Sequence, residues 1–195
     1  MDKLKQLETR LEETRNSLST DRLDMSFGEI MSMYERSEII IDPDFQRLFR
    51  WDTYQKTRFI ESILIGIPVP PIFVAEDETG RWELVDGLQR ISTIFSFFGI
   101  LRTLPDKNNW IMGKGDIAKD LENLACKDLP LKFQLNIKRA SCRVEIIKCN
   151  SAFDMRYELF NRLNTGGSEL TDQEIRNAIF RGVSKEFNSF IRRSA

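Results

Sequence analysis

The chain has 195 residues and no histidine. That absence excludes a Ser-His-Asp triad, a Cys-His nucleophile pair, a His-ligated zinc and a histidine-metal nuclease within this sequence. Acid–base chemistry has to run on Asp, Glu, Lys, Tyr or Cys. Cysteine is scarce: Cys126, Cys142 and Cys149, with no CxxC pair. An odd number without motif spacing reads as reduced thiols, not as a disulfide framework or a zinc site. Long apolar runs are missing too, and nothing approaches the roughly 18–20 residues of a membrane span. The opening MDKLKQLETRLEE is charged and lacks an apolar secretory region. The expectation is a cytoplasmic protein without membrane contact. An excess of either charge is also lacking, with 29 Lys+Arg against 30 Asp+Glu and a formal net charge of -1. A globally basic polyanion binder is excluded, so any nucleotide or nucleic-acid surface has to be a local patch.

What is present suits a globular domain. Hydrophobic residues make up 41% and charged residues 30%, ordinary soluble composition. Leu4, Leu7, Leu11 and Leu18 form a narrow seam over residues 3–18. That seam is either a helix packed on its own domain or a short coiled-coil contact, including a homo-oligomer contact through the N-terminal helix. Ser26 caps a helix through Ile30 and Met33, with Glu29 at the capping-box position. Ile39–Ile41 reads as a strand, and a helix capped by Asp52 or Thr53 runs to Gly66. Ile67-Pro68-Val69-Pro70-Pro71 cannot be helix interior. It delivers the chain into a hairpin, Ile72–Ala75 and Trp82–Val85, turning at Glu78-Thr79-Gly80. An apolar helix through Ile91, Ile94, Phe95 and Phe98 follows. Residues 103–138 are the least readable, with a helix expected over 116–124. Arg143–Ile147 alternates like a half-buried strand. Helices capped by Ser151 and Thr171 flank the loop Asn164-Thr165-Gly166-Gly167.

Three polar clusters interrupt these apolar segments, all at element junctions, where function concentrates. The first is DPDFQRLFRW, residues 42–51. Arg47 and Arg50 beside Phe45, Phe49 and Trp51 suit phosphate forks and base stacking, or form a packed aromatic loop with solvated arginines. The second is VDGLQRI, residues 85–91. A strand ends in Asp86-Gly87 and a helix begins at once, presenting free amides to an anion. Arg90 in a first helical turn opposes the helix dipole, which a bound phosphate would offset. Asp86 can hold a divalent cation or orient a water, or act as a plain N-cap. Asp86 with Glu83 or Asp77 is too thin a carboxylate set for a nuclease. The third cluster, residues 160–176, carries Arg162 and Asn164 beside a glycine pair able to nest an anion. Beyond it, Arg181, Lys185, Arg192 and Arg193 make a local basic face, either solvated or set against a nucleic-acid backbone.

Together these segments resemble the N-terminal domain of GmrS/GmrD-type (type IV) restriction proteins, domain-of-unknown-function family 262. The matching stretches are PDFQRLFRW at 43–51, ESILIGIPVPPIF at 61–73, VDGLQR at 85–90 and FNRLNTGGSELTDQEIRNAI at 160–179. The resemblance implies an α/β (α+β) domain of ParB/sulfiredoxin-like type, a small mixed sheet flanked by helices. It also implies nucleotide binding and hydrolysis at an Asp-Gly-Gln-Gln-Arg motif, with a divalent metal. Here the motif reads Asp86-Gly87-Leu88-Gln89-Arg90, with Leu88 in place of the first glutamine.

The resulting expectation is a nucleotide-binding, NTP-hydrolysing regulatory domain of a modification-dependent restriction or anti-phage system. A separate nuclease domain or subunit works with it. Asp86, Gln89 and Arg90 are the catalytic candidates, with Asp86 also the ligand of Mg2+ or Mn2+. Gln46, Arg47, Arg50, Gly87, Arg162 and Asn164 are the nucleotide-binding candidates. Arg181, Lys185, Arg192 and Arg193 are the DNA-contacting candidates. The rival reading is a non-catalytic DNA- or partner-binding module. The expected organisation is a helical extension over 1–24, the nucleotide-binding domain over 25–183, and a C-terminal helical region over 184–195 cut short by the end of the chain.

Overall fold

The computed structural model describes residues 2–46 and 48–149. The chain divides between Asn150 and Ser151, and the description below concerns the first unit. Expectations for residues 150–195, among them the helices capped by Ser151 and Thr171, lie outside the described residues.

Helix α1 spans Asp2–Ser17. The expected helical extension to residue 24 ends there, because Leu18–Ser26 is a strand, β1. Its partner lies more than a hundred residues downstream: β1 pairs antiparallel with β5, Ser141–Cys149, from Leu18↔Cys149 to Ser26↔Ser141. A nine-residue ladder with a distant strand overrides whatever local preference the segment has.

Ser26 ends β1 and caps α2, Phe27–Glu35, its Oγ accepting from the Glu29 N–H at 3.1 Å. Phe27, Ile30, Met31 and Tyr34 form the buried stripe of α2. Strand β2 is Ile39–Ile40, and Pro43–Gln46 forms one short turn, α3. Helix α4 is Thr53–Leu64, capped by a reciprocal box between Asp52 and Gln55. The hairpin is β3, Ile72–Glu76, and β4, Trp82–Asp86, paired antiparallel. Its turn is organised by Asp77, whose Oδ1 accepts from the Thr79 and Arg81 amides at 2.8 and 3.0 Å. Helix α5, Leu88–Phe97, follows β4 directly.

The helix expected over 116–124 does not form; that stretch holds only a 3-10 turn at Lys119–Leu121. It is instead pinned by Glu61, a buried α4 carboxylate that accepts from the amides of Asp116, Ile117 and Ala118 at 3.2, 2.8 and 2.6 Å. Beyond Ala118 the amides of Leu121, Glu122 and Leu124 bond carbonyls three residues back and that of Asn123 bonds Met112, so no four-residue helix ladder develops. A helix not expected from the sequence, α6, spans Leu131–Arg139.

The sheet order is β1-β5-β3-β4-β2. It is mixed: β1–β5 and β3–β4 are antiparallel, β5–β3 and β4–β2 parallel. The fold is therefore α/β, a five-stranded mixed sheet with helices. Helix α5 is its buried spine, with Ile91, Ile94, Phe95 and Phe97 at 0% exposure. Each such side chain contributes about 1.5–3 kcal/mol of burial free energy. This sets the start of α5 firmly against the end of β4.

Candidate functional site

Gly87 is the whole connection between β4 and α5. Its φ is 98°, and a Cβ there would meet Ile72 Cγ2 at 2.5 Å and Ile72 Cβ at 3.0 Å. Glycine is required both by the left-handed backbone and by the approach of β3. No side chain caps the start of α5. Its first-turn amides therefore have no cap, and the positive end of the helix dipole is not offset there. The β3–β4 register also shifts between Phe73 and Val74, beside the Phe73↔Asp86 pair. Such irregularities re-aim side chains at the rim of a sheet.

Arg90 turns back over this junction. Its Nη2 donates to Asp86 Oδ2 at 3.0 Å and to the Pro71 carbonyl at 3.0 Å. The pair is mostly buried, with side-chain exposures of 19% and 27%. Arg90 Nε is buried and has no partner among the described residues. A buried charged donor without an acceptor is costly, so the junction holds unused hydrogen-bonding capacity. Cys142, at the start of β5, lies close enough to feel Arg90. Burial pushes its thiol up to about 11, an effect that Arg90 only partly opposes. Cys126 is likewise buried and raised to about 11. Both thiols are inert as nucleophiles at neutral pH.

Gln89 faces the first polar cluster. Its Nε2 donates to the Leu48 carbonyl at 2.6 Å. Its Oε1 accepts from the Arg50 and Trp51 amides at 3.0 and 3.1 Å. The carboxamide is thus committed to backbone, and it places the Arg50 loop beside the start of α5. Gln46 is 0% exposed; it donates to Ser92 Oγ at 2.8 Å and accepts from Thr103 Oγ1 at 2.5 Å. It ties α3 to α5 from inside and presents no atom to a ligand. Arg50 is exposed. Leu88 is 5% exposed and packs into the core.

The structure therefore brings Asp86, Gly87, Arg90, Gln89 and Arg50 to one end of the sheet. Arg47, Arg162, Asn164, Arg181, Lys185, Arg192 and Arg193 lie outside the described residues. The sequence reading missed the Pro71 carbonyl, which no side-chain pattern announces. It also missed Lys107, whose Nζ donates to the Phe49 carbonyl at 2.8 Å beneath the same loop. Lys107 sits in the stretch without periodicity, so no signal pointed to it.

Among the described residues, no group of three or more His, Cys, Asp or Glu side chains is placed to hold a metal ion. Asp86 belongs to no such group, so any ion there takes most of its oxygens from a ligand or from water. No helix among the described residues is long and apolar enough to cross a membrane.

These features define a mixed α/β domain with a glycine strand-to-helix turn beside the Asp86–Arg90 ion pair. The family model for the GmrSD restriction endonuclease, N-terminal domain, matches residues 27–181, and the chain belongs to that family. It is thereby a restriction-system component. No curated protein and no solved structure matches the chain.

Proposed function

We propose that this domain binds and hydrolyses a nucleoside triphosphate and regulates a modification-dependent restriction or anti-phage system. A separate nuclease domain or subunit would cut the DNA, since a chain without histidine cannot supply a histidine-metal centre. The observation that carries this reading is the Asp86–Arg90 junction. It joins a turn that only glycine fits, an uncapped helix start and a buried guanidinium nitrogen lacking an acceptor. A phosphate chain offers what each of these lacks: acceptor oxygens, negative charge and a slender shape.

In this reading Arg90 and Arg50 take phosphate oxygens, and Arg47, Arg162 and Asn164 are further candidates for nucleotide contact. Asp86 holds Mg2+ or Mn2+, which when bound neutralises phosphate charge. The ion pair with Arg90 orients the Asp86 carboxylate in advance. Gln89 acts by holding the Arg50 loop against α5. A ParB/sulfiredoxin-like variant of the mixed sheet, a cytoplasmic setting and DNA contact through Arg181, Lys185, Arg192 and Arg193 belong to the same proposal. So does self-association through α1, whose Leu4, Leu7 and Leu11 are 70%, 51% and 61% exposed.

The test is equilibrium binding and turnover of ATP, GTP, CTP and UTP, with and without Mg2+. Binding with phosphate release is expected, and Arg90→Ala should lose both. Unchanged binding and turnover in that variant would overturn the assignment.

A second reading, a non-catalytic DNA- or partner-binding module, is favoured by one observation. Gln89 has its carboxamide engaged with backbone and Leu88 is buried, so no motif glutamine faces a water. Salt-sensitive duplex binding without any NTP turnover would support this reading instead.

A further inference from the structure

Strand β1 ends the sheet, and among the described residues no strand pairs with its outer edge. Along its nine residues, the alternate ones whose N–H and C=O groups do not point to β5 present them at that edge. Proteins usually protect such an edge with charge, and β1 does carry Asp21, Arg22 and Asp24. Here the charges alternate in sign, and their placement is self-complementary.

Alternation along a strand puts Arg22 and Asp24 on one face and Asp21, Leu23 and Met25 on the other. On the first face Arg22 is opposite Glu145 in β5 and Asp24 is opposite Arg143. Both are ion pairs, at 2.9 and 3.0 Å. On the second face Leu23 is opposite Val144. Leu23 is 46% exposed, whereas Val144 is 0% exposed.

We propose that a second copy of this chain pairs with β1 antiparallel, edge to edge, with Leu23 opposite Leu23 of the second copy. Arg22 then falls opposite Asp24 of the second copy, and Asp24 opposite its Arg22. Each charged row across the four strands reads Arg143, Asp24, Arg22 of the second copy, Glu145 of the second copy. The signs alternate along the whole row. The apolar row reads Val144, Leu23, Leu23, Val144, and the two exposed leucines cover each other. Directly opposed pairs of these kinds are the stabilising unit of an antiparallel sheet.

The register is also selective. Moving the two-fold axis to Arg22 sets two arginines opposite each other, and moving it to Asp24 sets two aspartates opposite each other. A one-residue slip places residues from different faces together. Of the pairings centred on Arg22, Leu23 and Asp24, the Leu23-centred one alone sets no like charges directly opposite; it places Asp21, which keeps its ion pair with Lys148, opposite Met25 of the second copy, and it joins two five-stranded sheets into one. The seam residues Arg22, Leu23 and Asp24 precede the segment 27–181 that the family model matches.

The test is sedimentation equilibrium of the 195-residue chain from about 5 µM to about 500 µM, a range that resolves weak dimers. The unaltered chain should dimerise. Arg22→Asp alone and Asp24→Arg alone should each raise the dimer dissociation constant at least about tenfold, because both seam contacts become like-charged. Mixing the two variants restores both contacts, so a heterodimer should form. Because either change also breaks a pair with β5, a second measurement keeps the wild-type charges: Leu23→Cys under mild oxidation. It should give a covalent dimer, whereas Ser19→Cys and the parent chain should not. A parent that stays monomeric, a Leu23→Cys chain that does not cross-link, or single charge variants that dimerise like the parent would each overturn the proposal. So would a dimer abolished by Leu7→Glu/Leu11→Glu but not by Arg22→Asp, which would assign the contact to α1.

Discussion

Gln89 grips Leu48: its Nε2 donates to the Leu48 carbonyl at 2.6 Å, while its Oε1 accepts from the Arg50 and Trp51 amides at 3.0 and 3.1 Å. One carboxamide therefore fixes a loop of four residues to the first turn of α5. Removing it leaves backbone groups without partners, at about 1–3 kcal/mol. Gln89→Ala should lower stability by that amount in equilibrium urea unfolding. Gln89→Glu should not rescue it, since a carboxylate presents no donor to the Leu48 carbonyl at neutral pH. Amide exchange at residues 48–51 should rise in both variants. An unchanged urea midpoint would show that the loop holds itself.

Gly87 and Gly80 share a left-handed backbone, with φ of 98° and 80°. They differ in space: a Cβ at Gly80 meets nothing within 4 Å, while one at Gly87 meets Ile72 at 2.5 Å. Gly80→Ala should cost about 1–2 kcal/mol, the backbone penalty alone. Gly87→Ala should add about 1–3 kcal/mol for crowding β3. Thermal unfolding of the two variants separates the terms. Equal losses would mean that Ile72 moves aside freely and that the turn is less constrained than its geometry implies.

The hairpin, α4 and the Gly87 turn were legible because their signals are local. Asp52, Pro68, Pro70 and Pro71, Gly80 and Gly87 each restrict their own few residues. Strand β1 was not legible, because its partner β5 lies far along the chain and its alternation is weak and mostly exposed. The loop at 113–118 was hidden for a different reason. What holds it is Glu61, which on helical periodicity reads as a solvent residue of α4. Within the candidate site, Asp86, Gly87 and Arg90 stood out as a motif. The roles of Gln46 and Gln89 did not, because an amide bound inside the protein and one facing a ligand look identical in sequence.

Glu61 is 2% exposed and accepts three backbone N–H groups, from Asp116, Ile117 and Ala118. Three backbone amides around one carboxylate replace the hydration it lost. Glu61→Ala should cost about 2–4 kcal/mol, since all three donors lose their acceptor. Glu61→Gln should also destabilise, because its NH2 group meets a donor. The loss should be accompanied by faster proteolysis within residues 113–118, read by limited digestion and mass spectrometry. A Glu61→Ala chain as stable as the parent would mean that water replaces the carboxylate without cost.

Cys126 and Cys142 give the fold a built-in alkaline limit. Burial raises each thiol from the ordinary 9.0 to about 11. Below pH 9 both folded and unfolded chains hold these protons, and the thiols do not make stability depend on pH. Between about pH 9 and pH 11 the unfolded chain releases them while the folded chain keeps them. Protons bound only by the native state mean that stability falls as pH rises, by up to about 1.4 kcal/mol per pH unit for each thiol. Lysines and tyrosines titrate in the same window, so the informative quantity is a difference between variants. Urea unfolding of the parent and of Cys142→Ala at pH 8, 9.5 and 10.5 (values set by the thiol range) should give a shallower decline for the variant. Its stability at pH 8 should be lower than the parent's, because a buried side chain is trimmed, and the gap should close as pH rises. Parallel declines would show that Cys142 ionises in the native state without penalty. Its burial beside Arg90 would then be no barrier to the thiolate.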